Sequence, residues 1–463
     1  MARRNEDRMN MNYDAIVIGF GKGAKTLTGA LAKQGKKVAL IEKSKKMYGG
    51  TCINVGCIPS KSLVHSAAEV PAELSFAQKR EMYAKAVAEK NRVTSMLRQK
   101  NYDKLAQLEG VTVYDGEAEF LSAKEVRVNG DGEQIVLEAE QIFINTGAEP
   151  VIPGIPGIKD NPKVFFSETM MDLEELPKHL ILIGAGYIGM EFASMYRNFG
   201  SEVTVLQDGD VFLPREDDDI ATAIRDILEK RGINFRTGVK VLEIADGKVI
   251  CDQGGRQLIV EGDAILIATG RKPMTGGLHP ERAGVELTER GAVKVDDALR
   301  TTAPGIWAMG DVTGGLQFTY TSLDDYRVVT GQVIASAQDL KEYRIPSRQN
   351  VPYSVFMDTP LSRVGAGEKE LLKQGIPYKT LKLPAAAIPK AQVLRKTDGL
   401  LKAMIDPESG KILGAALLCE ESYEMINIIK LAMDMGAGAE VLKNQIFTHP
   451  TMSEALNHLF TYQ

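Results

Sequence analysis

The sequence predicts an α/β fold: a strand, glycine turn, helix and strand unit that occurs twice, then a smaller α+β region. Three observations carry this. Residues 13–42 open as YDAIVIGFGKGA and residues 179–207 as HLILIGAGYIGM, with the same order of features. Each glycine turn joins an aliphatic run to a stretch with helical periodicity. Past residue 348 the texture changes to short apolar runs and one amphipathic helix.

The length of 463 residues implies several domains, because single cores stop growing near ~250–300 residues. A net charge of -5 argues against a nucleic-acid-binding surface. No apolar run approaches the ~20 residues of a membrane span. The opening MARRNEDRMNMN is polar and lacks a signal core, so residues 1–11 read as a disordered extension before a strand at Tyr13. Cytoplasm is the expected compartment. Four cysteines in so long a chain do not form a secreted disulfide framework.

In the first unit, the strand at residues 13–18 runs into Gly19, Gly21 and Ala24, then a helix, then a strand ending at Glu42. Glycines let the backbone turn tightly and approach a pyrophosphate at the helix N-terminus. Glu42 lies 21 residues after Gly21, where a carboxylate accepts ribose hydroxyls. The second unit repeats the order with Gly184, Gly186 and Gly189. Two such Rossmann-like units imply two dinucleotides. Gln207 holds the offset from Gly186 that Glu42 holds from Gly21. A carboxylate there would favour NADH and a nearby Arg NADPH; Gln leaves the preference open. The run at residues 216–219, EDDD, reads as the acidic first turn of a helix.

FINTGAEP (143–150) and LIATGRKP (266–273) read as closures of the two nucleotide domains. A strand, IWAM, then ends at Gly310 and Asp311, where an acid beside a glycine fits a cofactor hydroxyl. The runs VPYSVFMDT, GLLKAMID and KILGAALLC read as strands, and SYEMINIIKLAMDMG as an amphipathic helix whose methionines suit core or interface.

Half of the cysteines fall in residues 49–61, GGTCINVGCIPSK. Pro59 fits the first turn of a helix, so Cys57 lies near a helix N-terminus, where a thiolate is favoured. A dithiol beside a flavin, fed by a nicotinamide, makes a coherent electron path. A zinc site lacks the extra Cys or His ligands, and two unconnected buried thiols are the bland alternative. Cys251 and Cys419 read as structural. Lys61 lies one turn past Cys57, and Glu191 lies on the second nucleotide helix; such a pair would poise a flavin. His65 reads as a core histidine. His449 precedes a proline with Glu454 five residues on, the pattern of a carboxylate-oriented proton carrier.

With these motifs the chain resembles the class I pyridine nucleotide-disulfide oxidoreductases over nearly all of residues 12–463. GGTCINVGCIPSK matches their redox-active disulfide, GFGKGA with Glu42 and MGD at 309–311 their FAD motifs, GAGYIGME their NAD(P)H turn, and HPTMSE their base motif. The resemblance implies FAD bound by residues 12–150 and 271–345, NAD(P)H bound by residues 151–270, and a dimerisation domain over 346–463. It implies FAD contacts at Gly19, Gly21, Ala24, Glu42, Lys43, Gly50, Thr51, Lys61, Thr146, Gly147, Gly310 and Asp311. NAD(P)H contacts are implied at Gly184, Gly186, Tyr187, Gly189, Glu191, Gln207 and Gly270. Cys57 would be the thiol against the flavin and Cys52 the thiol that meets substrate. Tyr187 resembles a lid tyrosine. His449 and Glu454 would serve the other subunit of a homodimer.

Within the family, MYGGTCIN, FLPRED, WAMGDVTGGLQFTYTSLDDYR, AAIPKA and QIFTHPTMSE resemble the bacterial reactive-chlorine-resistance flavoproteins, which reduce copper(II). The expected activity is thus FAD-dependent reduction of copper(II) by NADH or NADPH, with Cys52 and Cys57 holding the copper. The competing expectations are a dihydrolipoamide dehydrogenase and a low-turnover redox-sensing flavoprotein. Lipoamide dehydrogenases usually carry an acid in place of Gln207 and a His in place of Phe447.

Overall fold

The computed structural model describes residues 10–461 except Asp131 and Glu133. The extension expected over residues 1–11 falls mostly outside that range, but Asn10 and Met11 already belong to the first strand, Asn10–Ile18. The strand starts earlier than Tyr13 because Asn10 to Tyr13 pair in parallel with Val136 to Ala139. The chain divides into two compact units.

One unit holds the residues up to Ser60, with Ala88–Val151 and Gly270–Arg348. Its main sheet has seven strands. Asn10–Ile18 lies between the parallel partners Val38–Glu42 and Gln134–Ile144. Val38–Glu42 is buried at every position, as expected of a parallel strand covered on both faces. Ile306–Ala308 pairs with Gln134–Ile144 and so delivers Gly310 and Asp311 to the end of the sheet.

The other unit holds Lys61–Val87, Ile152–Thr269 and Gln349–Gln463. A parallel sheet is ordered Ile233–Arg236, Glu202–Leu206, His179–Ile183, Ala264–Ile267, Val164–Phe166. A three-stranded antiparallel sheet is built from residues 240–261, and a five-stranded antiparallel sheet from residues 353–418. The amphipathic segment forms Ser422–Asp434, with Met425 buried and Met435 exposed. The expected α/β class is therefore the one found.

The duplication reaches the level of single hydrogen bonds. Gly19 N–H donates to the Ile41 carbonyl at 2.8 Å, and Gly184 N–H donates to that of Leu206 at 2.9 Å. Asn145 N–H donates to Ile18 O and Ala268 N–H to Ile183 O, both at 2.8 Å. Both glycines are left-handed, with φ 99° and 108°.

One expectation is corrected. His65 is no core residue: its side chain is exposed and lies 3.6 Å from Glu69 one turn on. Its helix, Cys57–Ala68, buries Leu63 and Ala67 instead. The acidic run opens the helix Asp218–Lys230 as expected, with Asp217 before it, but of its four acids only Asp218 is exposed. Asp217 accepts from the backbone of Glu368 and Lys369, and Lys402 lies against Asp217 at 3.0 Å, Asp219 at 2.8 Å and also Glu368. The Lys402 side chain is 0% exposed, so three carboxylates replace the water that its ammonium has lost.

Burial pushes the Asp217 carboxyl up, but hydrogen bonds from Lys402, Glu368 and Lys369 outweigh it and hold the group below its ordinary value. Asp219 is likewise held low, burial being outweighed by Lys382 and Lys402. Burial opposes the Lys402 charge, yet its carboxylates raise its pKa. Stability from the two Asp groups is present above their unfolded values, about 3.9, and is lost as pH falls through the lower folded ones. Stability from Lys402 is present below about 10.4 and is lost as pH rises through its raised folded value. Lys402→Met is expected to cost about 3–5 kcal/mol near neutrality. Thermal unfolding should show a large Tm deficit at pH 7 that narrows below about pH 4. An equal deficit at both values would contradict the cage.

Candidate active site

Phe20 N–H donates to Glu42 Oε2 at 3.1 Å, and Ser44 N–H donates to Oε1 at 3.2 Å. Glu42 closes its strand, and burial pushes its carboxyl up to about 7 against those two bonds. The helix Lys22–Lys33 starts at the glycine turn, placing its N-terminal N–H groups there. Gly50, with φ 82°, is packed so closely that a Cβ would lie 2.7 Å from Gly21 Cα. Gly147 borders open space, a Cβ there meeting only Thr51 Oγ1 at 3.9 Å. Thr146 Oγ1 donates to Met274 O at 2.6 Å, and the exposed Lys43 reaches the Met274 sulfur at 3.2 Å. Burial raises the Asp311 carboxyl, with Arg271 opposing. A glycine turn on a helix start, a buried strand-end acid and a second, half-buried acid fit FAD.

Asn145 was missed in the sequence, although it stands in the quoted FINTG. Its Oδ1 accepts from Ala24 N–H at 3.2 Å, and its Nδ2 donates to Met309 O at 2.5 Å. One buried amide thus ties the glycine helix to the turn that carries Asp311. Its signal was a polar residue directly after an all-apolar strand end.

In the second unit the same geometry recurs with other chemistry. Ala185 N–H donates to Gln207 Oε1 at 2.9 Å, as Phe20 does to Glu42. Gln207 therefore fills the strand-end position with a neutral amide. Gly186 precedes Tyr187–Phe199, and a Cβ on it would meet nothing within 4 Å. Gly189 packs against the Gly184 carbonyl, where a Cβ would lie 2.3 Å away. These features fit a second dinucleotide.

Cys52 lies in the short helix Thr51–Asn54, and Cys57 is the first residue of Cys57–Ala68. The hydrogen bond to Cys57 and then burial push the Cys52 thiol well up, while Thr319 and the Lys25 charge oppose them. The Thr319 hydroxyl stands 3.7 Å from Cys57 Sγ and opens the helix Thr319–Val333. Thr319 stands inside the quoted WAMGDVTGGLQFTYTSLDDYR, between Phe318 and Tyr320, but a threonine between two aromatics does not announce a sulfur contact.

In the other unit, Lys61 Nζ donates to both Glu191 oxygens at 2.9 and 2.8 Å and lies 4.8 Å over the Phe356 ring. Phe356 N–H donates to Glu191 Oε1 at 2.8 Å, fixing the carboxylate. His449 Nδ1 lies 2.8 Å from Glu454 Oε2. The ring is exposed and Glu454 directly precedes the helix Ala455–Leu459. Cys251 and Cys419 are buried, and burial pushes the Cys251 thiol up to about 11.

A family described as "Pyridine nucleotide-disulphide oxidoreductase" matches residues 13–325, and that family's dimerisation domain matches residues 351–460. The chain belongs to the pyridine nucleotide-disulfide oxidoreductase family. Members are oxidoreductases that use FAD and NAD(P)H. The chain is 49% identical to "Probable pyridine nucleotide-disulfide oxidoreductase RclA" of Escherichia coli (strain K12), over 97% of this chain and 99% of that one. It is 34% identical to "Dihydrolipoyl dehydrogenase 1, mitochondrial" of Arabidopsis thaliana, over 96% and 89%. A solved structure, "Cu(II) complex of HOCl-induced flavoprotein disulfide reductase RclA from Escherichia coli", shares 49% identity and a TM-score of 0.90, covering 98% of this chain and 99% of that chain. Among the described residues no helix is long and apolar enough to cross a membrane.

Thr319→Val removes the hydroxyl that favours thiolate at the cysteine pair. Iodoacetamide alkylation of the reduced protein at pH 7 should slow roughly threefold to tenfold, with Thr319→Ser near the parent rate. Equal rates in all three would remove Thr319 from the site.

Proposed function

We propose that the protein reduces copper(II) to copper(I) with electrons from NADH or NADPH, passed through the Cys52–Cys57 pair, in defence against reactive chlorine. The observation that carries this is the likeness, nearly end to end, to a flavoprotein disulfide reductase that is HOCl-induced and was solved with Cu(II). The adjacent thiols of Cys52 and Cys57 support it chemically. FAD, when bound, supplies hydride acceptance and two-electron transfer.

The chain's own residues supply the rest. Residues 12–150 and 271–345 would hold FAD through the glycine turn, Glu42 and Asp311. Residues 151–270 would hold the nicotinamide coenzyme at Gly184, Gly186 and Gly189. Lys61, fixed by Glu191, would place one positive charge near the flavin. Reducing the Cys52–Cys57 disulfide takes up two electrons and two protons. Returning one electron to each of two copper(II) ions reforms the disulfide, releases two protons and yields two copper(I) ions. Thiolates suit the soft copper(I) product. Residues 346–463 would pair two subunits, so that His449, oriented by Glu454, takes and returns the thiol proton in the partner's site. A dithiol of this kind is also open to oxidation by chlorine species.

The test is anaerobic oxidation of NADH and NADPH by the purified protein, with copper(II) and lipoamide as parallel acceptors. Copper-dependent turnover is expected to be fast, and the Cys52→Ser, Cys57→Ser double variant should lose it. Fast lipoamide turnover without catalysed copper reduction would move the chain to the dihydrolipoyl dehydrogenases.

A further inference from the structure

Glu216 is 1% exposed and takes no part in the Lys402 cage beside it. The hydroxyls of Tyr187 and Tyr353 both donate to its Oε1, that of Tyr353 at 2.7 Å. The two phenol oxygens lie 3.3 Å apart, with ring centroids separated by 5.6 Å. Oε2 has no hydrogen-bond partner and faces the Arg363 guanidinium at 3.6 Å. Arg363 is held in turn by the Arg215 carbonyl at 2.9 Å and by Glu370. An enclosed carboxylate is costly unless donors surround it, so this arrangement is specific rather than incidental.

Its location gives it a use. Tyr187 is the first residue of Tyr187–Phe199 and directly follows Gly186, the glycine bordered by open space. The pinned phenol is thus carried by the residue next to the turn that the coenzyme would occupy. Released from Glu216, the ring gains freedom to turn into that space.

We propose that Glu216 is a positioning residue for pyridine nucleotide binding: it catches the Tyr187 phenol and keeps the ring clear of the space at Gly186, while Tyr353 and Arg363 hold Glu216. The inference concerns the coenzyme and is independent of the acceptor.

Anaerobic stopped-flow reduction of the FAD-loaded enzyme by NADH and by NADPH, with no acceptor present, tests it. Glu216→Gln and Tyr187→Phe should each raise the coenzyme concentration for half-maximal reduction roughly fivefold to tenfold. The limiting rate of Glu216→Gln should stay near that of the parent. The double variant should be no worse than the weaker single one, because Gln at 216 weakens, and Phe at 187 removes, the same contact. Half-saturation unchanged in Glu216→Gln with only Tm lowered, or additive effects in the double variant, would overturn the proposal. Should Glu216→Gln not fold, Tyr353→Phe carries the test: it removes one donor and should shift half-saturation in the same direction by roughly twofold, and no shift would overturn the proposal equally.

Discussion

The structure rests on two glycines pressed against carbonyl groups. A Cβ on Gly19 would lie 2.4 Å from Asn145 O, and one on Gly184 would lie 2.6 Å from Ala268 O. Both residues are left-handed, so a side chain would meet backbone strain and a clash together. This closure sets where each first helix begins and therefore where its N–H groups point. It also sets which residue of the next strand stands opposite the turn. Glu42 and Gln207 occupy those positions and accept from equivalent backbone N–H groups.

From this shared frame the two units diverge by chemistry alone. The first places a buried carboxylate at the strand end, pushed up to about 7 by its burial. The second places an amide, which takes the same hydrogen bond without a charge. The first unit carries the cysteine pair and Thr319; the second carries the Lys61–Glu191 and His449–Glu454 pairs. The Phe356 N–H fixes Glu191 in the Lys61 pair, whereas the His449 ring of the other pair is exposed.

What the sequence made legible was whatever local spacing encodes. The duplicated turn, the offset of Glu42 and Gln207, the helix start at Cys57 and the i to i+5 pairing of His449 with Glu454 all follow from periodicity or turn chemistry. What it hid depends on contacts far along the chain. Asn145 reaches Met309, Thr319 reaches Cys57, and Asp217 and Asp219 meet Lys402. An acidic run at a helix start has the same local signature whether water or a buried lysine lies opposite. His65 erred for a similar reason, because the face of its helix that turns inward is chosen by Leu63 and Ala67.

In the proposed function the Cys52–Cys57 pair delivers electrons singly to a metal. The most direct measurement is a single-turnover titration. The enzyme is reduced anaerobically with one equivalent of NADH per flavin, freed of excess coenzyme, and mixed with copper(II) and a copper(I)-specific chromophore. The account predicts two copper(I) ions for each pair of thiols lost, and no such yield from the Cys52→Ser, Cys57→Ser protein. Copper(I) formed in equal yield without the thiols, or thiols lost without copper(I), would contradict it.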